Sequence, residues 1–371
     1  MKKSPSFFSL DASAQAAYGR GDLARAYALW HESLATATPV QRIGALADLA
    51  KVCNQRGKST RALDFIAQAE RLLPRLSRTT DDADLADVTH TKTALLIESG
   101  KALGVLGQFG AARASLNAAR RWCERTRDRD GVKIAMLNLG SVEIEAHEYQ
   151  RAIELFQSML PIVRDRYDKA LLWLNLGVAI WEQASASRDS RKANAAAKYW
   201  RRGLAIARHL KRPDVSVWLY HNLGLYEQHL GSARRAIEHY LKTIRLATRL
   251  DNLHANAMAC SGLASVLRRQ DALARADSAA RQAIRRFSAL DDLHGLAEAH
   301  YVRGLVNLDR GRPKIAHKML AAALRLAQRD LRNRQGRYRH DVALAQLLPW
   351  KLALAEAAIR LGKRITGAIL R

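Results

Sequence analysis

One alanine recurs along almost the whole chain at a nearly constant interval: Ala26, Ala62, Ala112, Ala152, Ala196, Ala236, Ala276 and Ala316, with spacings of 36, 50, 40, 44, 40, 40 and 40 residues. A period of about 20–50 residues decides a whole fold, because each repeat is one supersecondary unit that buries its apolar face only against its neighbours. Five residues before the alanine stand Gly21, Gly57, Gly107, Gly231 and Gly311, with His147, Arg191 and Asp271 in the other units. Glycine there suits a tight helix–helix turn that needs positive φ. Four residues after the alanine the chain is mostly large (Trp30, Ile66, Leu116, Phe156, Trp200, Tyr240, Leu320), and three later mostly small, which is the spacing of one helical face. Upstream, small residues stand at Ala14, Ala50, Gly100, Gly140, Gly177, Gly224, Ala264 and Gly304. A small residue inside a helix costs propensity, so it lets the two helices of a hairpin approach closely. Each unit reads helix, turn, helix; Ala280 replaces the large residue of the seventh, which should pack less well.

These residues resemble the tetratricopeptide repeat family, whose unit has a small residue in its first helix, alanine and an aromatic in its second, and a glycine-containing turn between them. The 40-residue period is longer than that family's usual one of about 34 and is similar to the long-helix variety found in kinesin light chains and bacterial regulatory proteins. The resemblance implies an all-α superhelical solenoid of about eight repeats over residues 1–330. The repeats fall at about 11–38, 39–77, 84–126, 129–166, 167–211, 213–250, 253–290 and 294–330. Residues 331–371 then read as a basic linker and an amphipathic helix covering the last apolar face.

Two insertions break the period. Leu73 to Asp87 adds an acidic stretch (Asp81, Asp82, Asp84, Asp87) that reads as capping of the next helix rather than as a metal site. Ser185 to Ser190 reads as an enlarged loop in the fifth unit.

The 61 Lys and Arg against 35 Asp and Glu leave a net charge of +26, rising toward the C-terminus. Such a field draws in nucleic acid or acidic protein, although an Arg-rich composition spread over solvated faces would give the same number. Three cysteines far apart in sequence exclude a disulfide framework and fit a reducing, cytoplasmic compartment. Met1-Lys2-Lys3 resembles a signal n-region, but the apolar run Phe7 to Leu10 is too short to follow it, and no stretch is apolar enough for a membrane span. A membrane-surface partner is disfavoured.

Catalytic motifs are missing from the sequence. Gly57-Lys58-Ser59 has the end of a phosphate-binding loop, but Val52 stands where its first glycine belongs. No histidine pair has the spacing of a helical zinc site, so no metal, no cofactor and no enzyme activity are expected.

The groove offers more. In the resembled family the first helices line the concave surface, and the residue before the Leu-Gly pair faces the channel; here it is Asn138, Asn175 and Asn222. The resemblance implies that these carboxamides pair with the backbone of an extended peptide. Leu174, Val178, Trp218, His221 and Leu225, with Leu171, are read as an apolar floor beside them. Lys51, Lys101, Arg268 and Arg269 would favour an acidic or mixed-charge ligand, and Arg268 and Arg269 with Arg332, Arg334, Arg337 and Arg339 form a candidate phosphate strip. The expected function is a non-catalytic scaffold that captures a partner protein's peptide segment. Two alternatives stay open: a nucleic-acid accessory factor, or an intracellular peptide-sensing regulator.

Overall fold

The computed structural model describes residues 6–335 apart from 21, 57, 77–81, 188 and 291, with backbone alone at 74–76, 82–89 and 331–335. The first five residues of the expected basic linker, 331–335, are helical backbone instead; the rest of it and the terminal helix lie outside the described residues, as do the side chains of the acidic stretch Asp81 to Asp87. Among the described residues there are sixteen helices and no strand.

The helices alternate as repeats. The first helices are α1 (Phe7–Gly19), α3 (Pro39–Gln55), α5 (Asp82–Val105), α7 (Arg129–Glu145), α9 (Arg166–Ser187), α11 (Pro213–His229), α13 (Leu253–Arg269) and α15 (Leu293–Asp309). The second helices are α2 (Leu23–Ser33), α4 (Ser59–Leu76), α6 (Phe109–Arg125), α8 (Tyr149–Met159), α10 (Ser190–His209), α12 (Ala233–Arg249), α14 (Leu273–Ala289) and α16 (Pro313–Gln335). The chain forms two compact units, Met1–Asp189 and Ser190–Arg371. Their boundary falls inside the fifth repeat, between α9 and α10. The insertion expected there as an enlarged loop is instead mostly helix: α9 has 22 residues and α10 has 20, against 17 in α11 and α12. Ser185, Ala186 and Lys192 are compatible with helix, and nothing in the segment is a strong breaker.

The packing logic is the one written in the period. The repeat alanines are buried, and so are the large residues four places on, from Trp30 to Leu320. In four repeats the large side chain enters the notch left by a glycine of the first helix. A Cβ at Gly224 would lie 2.8 Å from the Tyr240 ring, one at Gly304 would lie 2.7 Å from Leu320, and Gly100 and Gly140 are closed in the same way by Leu116 and Phe156. The turn between the helices holds positive φ whether or not glycine occupies it: Gly107, Gly231 and Gly311 at 73°, 77° and 68°, and His147 and Asp271 at 60° and 56°. A second turn, between repeats, does the same at Arg127, Lys211 and Asp251. Cys53, Cys123 and Cys260 are free and buried. No helix among the described residues is long and apolar enough to cross a membrane.

Within the first unit α3 packs on α5, α5 on α7 and α7 on α9; within the second, α11 packs on α13 and α13 on α15. No two second helices pack on one another to a comparable extent. In each unit the first helices thus sit on the inside of the curve and the second helices on the outside.

Candidate functional site

A first helix in this arrangement is buried on three sides, and its remaining face is a narrow stripe at spacings of four and three residues. On α9 that stripe is Leu171, Asn175, Val178 and Glu182; on α7 it is Ile134, Asn138, Ser141 and Glu145; on α11 it is Trp218, Asn222, Leu225 and His229. All three asparagines are partly exposed on their stripes. Asn138 spends one amide proton on the Ile134 carbonyl of its own helix, 2.8 Å away. The side chains of Asn175 and Asn222 make no hydrogen bond with any described residue. A carboxamide so placed has two donors and an acceptor to offer.

Val178, Trp218 and Leu225 also stand on the inner stripes, as the sequence suggests. Leu174 and His221 do not: both are buried between helices, one residue out of phase with the stripe. Neither ring nitrogen of His221 has a partner among the described residues, and its ring lies 5.9 Å from that of Tyr240. Burial, with His254 adding like charge, pulls the His221 imidazole down to about 4. It is a neutral core residue.

The inner face of the first unit is richer in acid than the sequence suggests. Asp48 and Glu98 stand on α3 and α5 at the position that Asn138, Asn175 and Asn222 hold on their helices, and Asp11 is close enough to act on Asp48. Burial, opposed by Lys51 and reinforced by Asp11 and Glu98, pushes the Asp48 carboxyl up to about 6. Gln15 donates to Asp48 at 3.3 Å, Gln55 donates to the Tyr18 hydroxyl, and the Lys51 ammonium stands 4.5 Å from the Tyr18 ring centroid. Further along, burial and the neighbouring Glu145 raise the Glu182 carboxyl. Gln55, Glu145 and Glu182 lie two turns on from that position in α3, α7 and α9, and Asp11, Gln15 and Tyr18 share one face of α1. Their signal was the same four-and-three spacing, read outward from Asp48 and Asn175.

The cations expected to favour an acidic ligand are mostly spent. Lys101 bonds Glu98 at 2.8 Å, Arg268 bonds Asp309 at 2.7 Å, and Lys51 is shared between Tyr18 and Asp48. Arg269 is exposed. Of the remaining phosphate candidates, Arg332 and Arg334 fall in the last turn or two of α16, but their side chains, like Arg337 and Arg339 altogether, lie outside the described residues. Among the described residues no group of three or more His, Cys, Asp or Glu could hold a metal ion.

No protein-family model matches the chain, and no curated protein matches it by sequence. Solved structures do. The apo form of the quorum sensor NprR from B. thuringiensis superposes with a TM-score of 0.58 at 13% identity, over 86% of this chain and 87% of that one. Cut9, in the APC/C hetero-tetramer Cut9-Hcn1, gives a TM-score of 0.55 at 15% identity, over 89% of this chain and 55% of that one. A Rap protein complexed with Competence and Sporulation Factor gives 0.52 at 13% identity, over 94% and 98%. At such identities the likeness shows the fold alone: the chain is an all-α repeat protein with the helical-solenoid fold of tetratricopeptide-repeat proteins.

Proposed function

We propose that the protein is a non-catalytic scaffold that captures an extended peptide segment of a partner along the inner faces of its first helices. The observation that carries this reading is found in each unit by itself: an unspent carboxamide on an inner stripe beside apolar side chains, Asn175 with Val178 in the first unit and Asn222 with Trp218 and Leu225 in the second. Amides hold a peptide backbone without reading its sequence, and in each unit the flanking apolar side chains take those of the peptide. The likeness to a quorum sensor and to a Rap protein bound to a signalling factor supports a small peptide or peptide segment as the ligand.

The acidic tier on α1, α3 and α5 sets the charge of that ligand. Asp48 lacks a full complement of counter-charge, so a Lys or Arg side chain of the peptide would restore it. A ligand of the first unit therefore carries basic residues rather than being acidic throughout. Ordering a flexible peptide costs free energy, and moderate affinity is expected.

An array of random peptides tests this, probed with the wild-type chain and with the triple variant Asn138→Ala, Asn175→Ala, Asn222→Ala. Retention of Lys- and Arg-containing peptides by the wild type, lost in the variant, supports the reading. An identical retained set for both proteins sinks it.

A further inference from the structure

The charge is sorted by helix, and composition alone does not do that. The eight first helices hold 11 Lys and Arg and 15 Asp and Glu; the eight second helices hold 30 and 8. The net positive charge of the helices thus lies wholly on the outside of the curves, the first helices being slightly negative. The contrast is sharpest in the second unit, where α10, α12, α14 and α16 carry 21 cations and 3 acids while α11, α13 and α15 carry 3 and 4. A biased genome would enrich arginine on every solvated face alike.

The repeat also aligns these cations. Nine residues after the repeat alanine stand Arg245, Arg285 and Arg325, on α12, α14 and α16, and all three are exposed. On α12 the buried positions are Ala236, Tyr240, Thr243 and Ala247, and on α14 they include Ala276, Ala280, Ala283 and Phe287. At about 100° per residue a position nine places on from the alanine points directly away from that core. Arg245, Arg285 and Arg325 form no ion pair or hydrogen bond with a described residue. The acids nearby are already engaged: Glu238 bonds Lys242 at 2.6 Å, and Asp277 is gripped by Arg303, Arg281 and Arg310 at 2.9, 3.5 and 3.5 Å. Arg249 and Arg329 are exposed one turn further along two of the same helices.

We infer that the outer face of α12, α14 and α16, centred on Arg245, Arg285 and Arg325, is a binding surface for the sugar–phosphate backbone of a nucleic acid. Arginine's planar fork matches a phosphate bidentately, and a ladder of such forks needs no base-specific contact. The surface is a poor fit for lipid: its large exposed apolar residues are the isolated Leu241 and Ile315, with no aromatic side chain to enter a bilayer. It is equally poor for an acidic protein, since its large exposed apolar side chains, Leu241 and Ile315, stand on different helices and form no cluster of anchors.

The test is binding of the full chain to labelled random-sequence duplex DNA and single-stranded RNA as salt rises from about 50 to about 200 mM, where several phosphate contacts cost roughly a thousandfold in affinity. The triple variant Arg245→Gln, Arg285→Gln, Arg325→Gln changes only exposed side chains, and its circular dichroism should match the wild type. It should bind at least tenfold more weakly, with a log–log salt slope shallower by about 2 to 3. The relative affinities for the two probes tell which backbone is preferred. Three results each overturn the proposal: no binding at the lowest salt, an unchanged slope in the variant, or capture by phosphatidylserine vesicles with none by either nucleic acid. The asparagine variant should bind nucleic acid as the wild type does, which keeps this surface separate from the peptide groove.

Discussion

The ring of Tyr240 occupies the space that a side chain at Gly224 would need, a Cβ there falling 2.8 Å from it, while the Tyr240 hydroxyl donates to Gln228 at 2.9 Å. Ring and notch come from the two helices of one hairpin. Since Tyr240 is fully buried, it has nowhere to retreat. Gly224→Ala should destabilise the second unit by about 1–3 kcal/mol despite alanine's better helix propensity, through overpacking. A lowered melting temperature in calorimetry checks this; an unchanged or raised one would show that the hairpin can open.

Lys211 offers the opposite experiment. It sits at φ 52° in an inter-repeat turn, a conformation that costs a residue with a Cβ about 1–2 kcal/mol. Lys211→Gly relieves that strain and gives part of the gain back as unfolded-chain entropy. The net expectation is a stabilisation of about 0.5–1 kcal/mol, read as a rise in the urea midpoint with an unchanged slope.

His221 makes stability depend on acid. Its folded pKa, about 4, lies below the ordinary 6.5, so below 6.5 the unfolded chain binds the extra proton and folding weakens. The contribution is fully present above pH 6.5 and is lost as pH falls toward 4, by up to about 3 kcal/mol. His221→Phe should flatten the stability profile across that window and leave the neutral-pH value lower by no more than a packing change. A profile as steep as the wild type's would move the effect to other groups.

Asp48 acts with the reverse sign. Its folded pKa is raised from 3.8 to about 6, so the folded state holds the proton more tightly. That contribution is present below pH 3.8 and disappears as pH rises through 6. Asp48→Asn should therefore raise the melting temperature at pH 7.5 and do little at pH 4. The same variant should weaken retention of Lys- and Arg-containing peptides.

The repeat architecture was legible because each repeat is specified locally: one notch, one large residue, one turn, restated about every forty residues. The positive-φ turn was equally plain where glycine marked it, and the match of Asp271 and His147 to the same position shows that register, more than residue type, sets that conformation. The inner face was harder to read. A one-residue error in helix phase turns a position by about 100°, and this is the distance between Asn222 on the stripe and His221 in the core. Most of the loop expected at Ser185 to Ser190 became helix because extra residues without proline or glycine lengthen the hairpin's arms as readily as its tip. The extent of the acidic tier is hard to read because total charge hides its distribution: a sum of +26 says nothing of carboxylates gathered on the inner side.

Sorting charge between inner and outer helices also gives the second unit a direction. Positive charge on one side and a small acidic excess on the other make an electric dipole across the helix layers, so a nearby polyanion applies a torque as well as an attraction. The unit approaches outer helices first and comes to rest with its inner stripes turned toward solvent.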